Sequence, residues 1–172
     1  MDILSTLLSS AANGSLNKAA ESRGLDSAGT AALLKQLVPA LTSQVKKNAS
    51  KESGLSSLTR ALSSGNHQRY IDDDSALTSE DAVREGNGIL GHILGSKDAS
   101  RTLAAHAANQ TGIDVSLVKK FLPVVAAAAM GAMSKDTNAG NSGIGGLLSK
   151  FIDSDGDGSV VDDLLSFGKK FL

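Results

Sequence analysis

From Val115 to Met133 the apolar residues recur with the spacing of a helix. Val115, Val118, Phe121, Leu122, Val125, Ala126, Ala129, Met130 and Met133 fall at i, i+3, i+6 and i+7 and onward, one continuous face over about five turns. Gly112 and Asp114 stand just before it. Glycine supplies the left-handed residue that ends a helix, and aspartate accepts from the free amides that begin one. A chain with such a face must bury it against other helices, and the residues around it offer nothing else. The segment from about 98 to 110 has Leu103, Ala104, Ala107 and Ala108 on one side, so residues 110–114 read as a turn between two helices.

The same order occurs earlier. Gly24-Leu25-Asp26 separates a short helix, about 15–23, from a long one carrying Leu34, Leu37, Val38, Leu41 and Val45. GLD then KQLVPAL matches GID then KKFLPVV, with proline in each copy, Pro39 and Pro123. Asp26 and Pro39 enclose a segment four residues longer than the one between Asp114 and Pro123. Four residues are close to one helical turn, so the face is nearly kept. The sequence therefore predicts an all-α, multihelical bundle built from a duplicated helical hairpin, with long helices over about 27–47 and 114–134. Val125, Ala126, Ala129 and Met130 are expected in the core. Each proline removes an amide hydrogen bond, so a kink or a helix boundary is expected at both.

A third pattern is GILGHILG, 88–95. It puts Ile89, Leu90, Ile93 and Leu94 on one face and Gly91 and Gly95 one turn apart, spacing that permits close approach of two helices. Residues 63–79 are polar and include Asp72-Asp73-Asp74, a triplet that could bind a cation but is read first as a solvated loop. SKDTNAGNSG, 134–143, reads as a Gly-rich linker. The expected organisation is a helical body over 1–133, with related halves at about 1–62 and 80–133, then the linker, then a C-terminal helical tail over 144–172.

Composition narrows function mainly by exclusion. The chain has 17 basic and 18 acidic residues, split 9 to 10 over residues 1–86 and 8 to 8 over 87–172, so neither half is an electrostatic footprint for nucleic acid. With no cysteine, thiolate metal sites and cysteine catalysis are excluded. Aromatic residues are 3% and tryptophan is absent, which argues against a surface for stacking bases. The start, MDILSTLLSS, has Asp2 where a secretory signal carries positive charge. The apolar run Phe121 to Met133 is 13 residues, short of the roughly 20 that span a bilayer. No membrane span and a cytoplasmic location are the expectation.

GNGILGHILGSKD, TGIDVSLVKKFLPVVAAAAMGAM (111–133) and DSDGDGSVVDDLLSFGKKFL (153–172) together resemble the YidB-like bacterial family, whose function is unknown. The resemblance extends in weaker form through the first repeat. It implies an all-helical bacterial protein and brings no catalytic residue with it.

The tail carries the one stretch with a ligand pattern. In an EF-hand loop oxygens come from positions 1, 3 and 5, glycine sits at 6, a backbone carbonyl serves at 7 and a bidentate acid closes at 12. Asp153, Asp155, Asp157, Gly158 and Ser159 occupy positions 1, 3, 5, 6 and 7. Position 12 is Leu164, and the nearest acids are Asp162 and Asp163. Two readings stand: a weak Ca²⁺ site made by Asp153, Asp155, Asp157, the Ser159 carbonyl and Asp163 or its neighbour, or an acidic turn whose Asp157 or Ser159 caps the last helix. No other cofactor is indicated.

Catalysis finds little support. His67, His92 and His106 lack metal-ligand spacing such as HExxH, no GxSxG elbow occurs, and His92 reads as a helix-surface residue or a satisfied interface residue. The joint before Asp114 superficially matches a helix-turn-helix, but its second helix has only Lys119 and Lys120 as cations before a wholly apolar run. The sequence thus favours a non-catalytic interaction protein, binding a protein partner or itself through Gly/Ala faces. A helix-turn-helix nucleic-acid binder is the alternative.

Overall fold

A computed structural model describes residues 3–73 and 75–139. Among them are eight α-helices and no strand: α1 (Ile3–Asn13), α2 (Ser15–Glu21), α3 (Ser27–Ala49), α4 (Glu52–Ser64), α5 (Arg69–Asp72), α6 (Glu80–Leu94), α7 (Lys97–Thr111) and α8 (Val115–Ala139), with a 3-10 turn at Ala76–Thr78. The all-α bundle expected from the periodicity is the fold.

Helix α8 is its axis, and every other helix touches it. It is buried without a break from Phe121 to Ala128, on all sides rather than along one stripe. A helix apolar all round belongs inside a bundle. Its run of small residues, Ala126, Ala127 and Ala128, lets neighbours come close, while Val118, Phe121, Val124 and Met130 supply bulk. Leu33, Leu34 and Leu37 of α3 and Ile89, Leu90 and Ile93 of α6 complete the core. Val125, Ala126 and Met130 are buried as expected. Ala129 is only half-buried, because it turns toward a seam between α3 and α6.

The two glycine–aspartate joints fold as their residues dictate. Gly24 and Gly112 take positive φ, +86° and +71°, where a side chain would be strained. Asp26 then accepts from the Gly29 amide at 2.7 Å, and Asp114 from the Ser116 amide at 2.7 Å. The joints also lie side by side, with Leu117 beside Gly24 and Ile113 beside Gly29. This local likeness supports the duplicated hairpin as a proposal. Pro39 and Pro123 end neither helix; both lie inside.

Two expectations need correction. Helix α8 runs to Ala139, six residues into the segment read as a linker. Ser134 is buried and Lys135 is bonded to Asp72 of α5 at 2.7 Å, so the body still holds this end. The remainder of the linker and the tail, 140–172, lie outside the described residues. The close helix approach also falls elsewhere than expected. Gly91 meets nothing, and Gly95 is the left-handed cap of α6, at φ +75°. The glycine in contact is Gly86, where a Cβ would fall on the carbonyl of Pro123.

Gly86→Ala should therefore force α6 and α8 apart and cost about 2 kcal/mol or more. Gly88→Ala, two residues on with open space around it, should stabilise by about 0.5–1 kcal/mol through helix propensity. Urea unfolding of the two variants checks this, and equal shifts of the same sign would contradict the assigned contact.

Candidate functional site

Helix α6 has two unlike faces. Inward, Ala82, Gly86, Ile89, Leu90 and Ile93 are buried. Outward, Asn87, Gly88, Gly91, His92 and Gly95 are all exposed, at the i, i+4, i+8 spacing of one helix side. A side chain added at Gly88 or Gly91 would meet no atom within 4 Å. The outward face is thus a shelf of bare backbone, and a cleft opens on each side of it.

The smaller cleft, about 250 Å³, lies between this shelf and the end of α4, with Ser64, Gly65, His67, Glu85 and His92 on its walls. His67 is 6% exposed. Its Nε2 lies 2.7 Å from the Ala61 carbonyl. A carbonyl only accepts, so Nε2 carries the hydrogen. Nδ1 is then left buried with no hydrogen-bond partner, 3.7 Å from a Glu85 carboxylate oxygen. The other Glu85 oxygen accepts from Arg69 at 2.7 Å. Arg69 also donates to the Tyr70 hydroxyl at 2.9 Å, and its guanidinium lies 4.9 Å from the Tyr70 ring centre. Burial and the nearby Glu85 push the Tyr70 phenol up from its ordinary value, and the hydrogen bond to Tyr70 raises Arg69. The Glu85 charge is spent on Arg69. The group is a polar clasp joining the α4–α5 turn to α6, with one unused acceptor.

The larger cleft, about 520 Å³, lies between α6, α7 and α8. Leu90, Leu122 and Pro123 form its apolar wall, and Lys97, Arg101 and Lys119 its charged border. Sequence reasoning missed both clefts. His67 gave no signal beyond its residue type, and of the three cations Lys119 lies 18 residues beyond Arg101 in a chain whose total charge is near neutral.

Other expectations are placed as follows. His92 is on the surface, and so is His106. Asp72 pairs with Lys135, and Asp73 accepts from the Ser75 amide and hydroxyl at 2.8 and 2.7 Å. The proposed calcium ligands Asp153, Asp155, Asp157, Ser159 and Asp163 lie outside the described residues. Among the described residues no three or more His, Asp or Glu side chains are grouped to hold a metal ion. Val115–Lys135 is long and apolar enough to cross a membrane by length and composition, unlike the shorter run read from sequence; 67% of its apolar window is buried inside the bundle, as in a core helix.

The sequence profile of a family of bacterial proteins of unknown function, DUF937, matches residues 5–136. No curated protein and no solved structure matches the chain.

The Asp72–Lys135 pair gives a pH signature. The hydrogen bonds from Lys135 and then Gln68 hold the Asp72 carboxyl below its ordinary value. A carboxyl lowered by folding contributes stability that is present above its unfolded value and is lost as pH falls through the folded one. Asp72→Asn should therefore melt lower than the parent at pH 7, and the gap should close as pH drops below about 4. Thermal melts across that range check it; a gap independent of pH would refute the pairing.

Proposed function

The chain belongs to the DUF937 family of bacterial proteins of unknown function, and we propose that within it this protein is a non-catalytic interaction module that self-associates through the outward face of α6. The observation that carries this reading is the pair Gly88 and Gly91. Each costs a helix about 1 kcal/mol relative to alanine, and neither meets an atom of its own fold. Bare backbone lets a second helix approach closely, and the same face on a second copy makes a closed two-fold pair.

The nucleic-acid reading is less well supported. In the α7–Gly112–α8 joint, the helix in the recognition position is buried from Phe121 to Ala128, and of the exposed residues at its start, Val115, Ser116, Lys119 and Lys120, only the two lysines are cations. A cytoplasmic location goes with the proposed role, α8 being used as the core of the bundle.

Sedimentation tests the association. The parent should show a concentration-dependent dimer at tens of micromolar. Gly88→Leu with Gly91→Leu should leave it monomeric without lowering its melting temperature, because the added side chains point into open space. A parent that stays monomeric at about 0.5 mM, weaker than the interfaces that serve as specific ones, would sink the proposal.

The acidic stretch is the second part of the proposed function, as a weak structural Ca²⁺ site. Calorimetric titration should give heat at roughly millimolar Ca²⁺, absent when Asp153 and Asp155 are changed to Ala. Equal heats in the two proteins would leave it an acidic turn.

A further inference from the structure

The larger cleft gathers positive charge that the fold does not use. Lys97 and Arg101 come from the first half of α7 and Lys119 from the start of α8, and all three are exposed on one border. Arg101 reaches Asp98 at 3.1 Å, but with side chains 67% and 89% exposed that pair is weak. Lys97 and Lys119 pair with no acid among the described residues. Helix α7 points its N-terminus at the same place. Ser96 caps it by accepting from the Ala99 amide at 3.1 Å, and the helix dipole adds to the positive field. Leu90, Leu122 and Pro123 line the same cleft. A compact anion would satisfy the charges and waste that apolar wall. An acidic peptide with apolar residues interleaved would use both.

The chain carries a segment of this chemistry. Residues 153–163 hold five aspartates and no cation, with Val160, Val161 and then Leu164 and Leu165 among and after them. We propose that the cleft between α6, α7 and α8 receives this acidic stretch of its own chain. Reach permits it. From Lys119 to Ala139 the helix rises about 30 Å, and the fourteen residues from Ala139 to Asp153 can span up to about 46 Å. Covalent connection makes the encounter intramolecular, so modest charge complementarity suffices for occupancy. When no Ca²⁺ occupies the acidic stretch, its alternating carboxylates, which repel one another, gain counter-charge in the cleft; Ca²⁺ and the cleft compete for them. The cleft shares Asn87 and Gly91 with the outward face of α6, so its occupancy is read at protein concentrations where sedimentation shows a monomer.

Because the chain has no cysteine, a pair introduced into the full-length protein reports proximity directly. Asn87→Cys lines the cleft and is exposed; Ser159→Cys lies within the acidic stretch. Exposed Ser9→Cys on α1, combined with Ser159→Cys, is the control. Under mild oxidation with chelator present and at low salt, the cleft pair should link within one chain several-fold faster than the control pair. The advantage should shrink at about 0.5 M NaCl, where the Debye length is only a few ångströms. Adding Lys97→Glu, Arg101→Glu and Lys119→Glu should bring the cleft pair to the control rate, with helicity verified by circular dichroism. If that triple variant loses helicity, the salt series on the two cysteine pairs decides alone. Equal rates for the two pairs, indifference to salt, or linkage only between two chains would overturn the proposal. Sedimentation of the same samples reports the dimer separately, so failure of one idea is distinguishable from failure of the other.

Discussion

The packing of α6 on α8 at Gly86 and Pro123 is the constraint on which the bundle turns. Pro123 sits in the most buried part of α8, and its carbonyl is the atom that Gly86 meets. Only a residue without a side chain permits that approach, and once it is made Ile89 and Ile93 of α6 are carried against the core. The alanines of α8 work in the same way. Each buries little area, but short side chains let α8 keep neighbours on every side. Stability is reached by many close, small contacts rather than by a few aromatic anchors, and among the described residues Tyr70 and Phe121 are the largest that are fully buried.

The parts readable in the sequence are those where a local rule and a tertiary demand coincide. Gly24 and Gly112 mark turns because their φ is positive, and Asp26 and Asp114 cap because the following amides are free. Hence the starts of α3 and α8 were legible to within a residue. The end of α8 was not. SKDTNAG is polar and contains glycine, yet its first residues stay helical because Ser134 is buried and Lys135 finds Asp72 across the bundle. Periodicity sees no partner at such distance. The same blindness hid the segment 63–79, which is polar in sequence but buries His67, Tyr70 and Leu77.

Glycine shows the limit most clearly. Gly86, Gly88, Gly91 and Gly95 look equivalent as letters in one run. In space one is a contact, two face open solvent and one is a left-handed cap. Spacing identifies which residues share a helix side; it cannot say which side meets another backbone. Ala129 illustrates the converse, since a residue on a correctly read face can still lie at its border.

Charge follows a similar logic. A total of 17 basic and 18 acidic residues removes any long-range field that would steer a polyanion to the whole surface. It does not remove local fields, because the Debye length in physiological salt is about 8 Å, comparable to the width of a cleft. Within that range Glu85 sees Arg69, and Asp72 sees Lys135, whereas Lys97 and Lys119 border one cleft. A chain that is neutral on average can thus hold a cleft bordered by three cations and, elsewhere in its sequence, a stretch of five aspartates. The neutrality that disfavours nucleic acid as a partner is, on the scale at which binding is decided, a balance between separated and opposite sites.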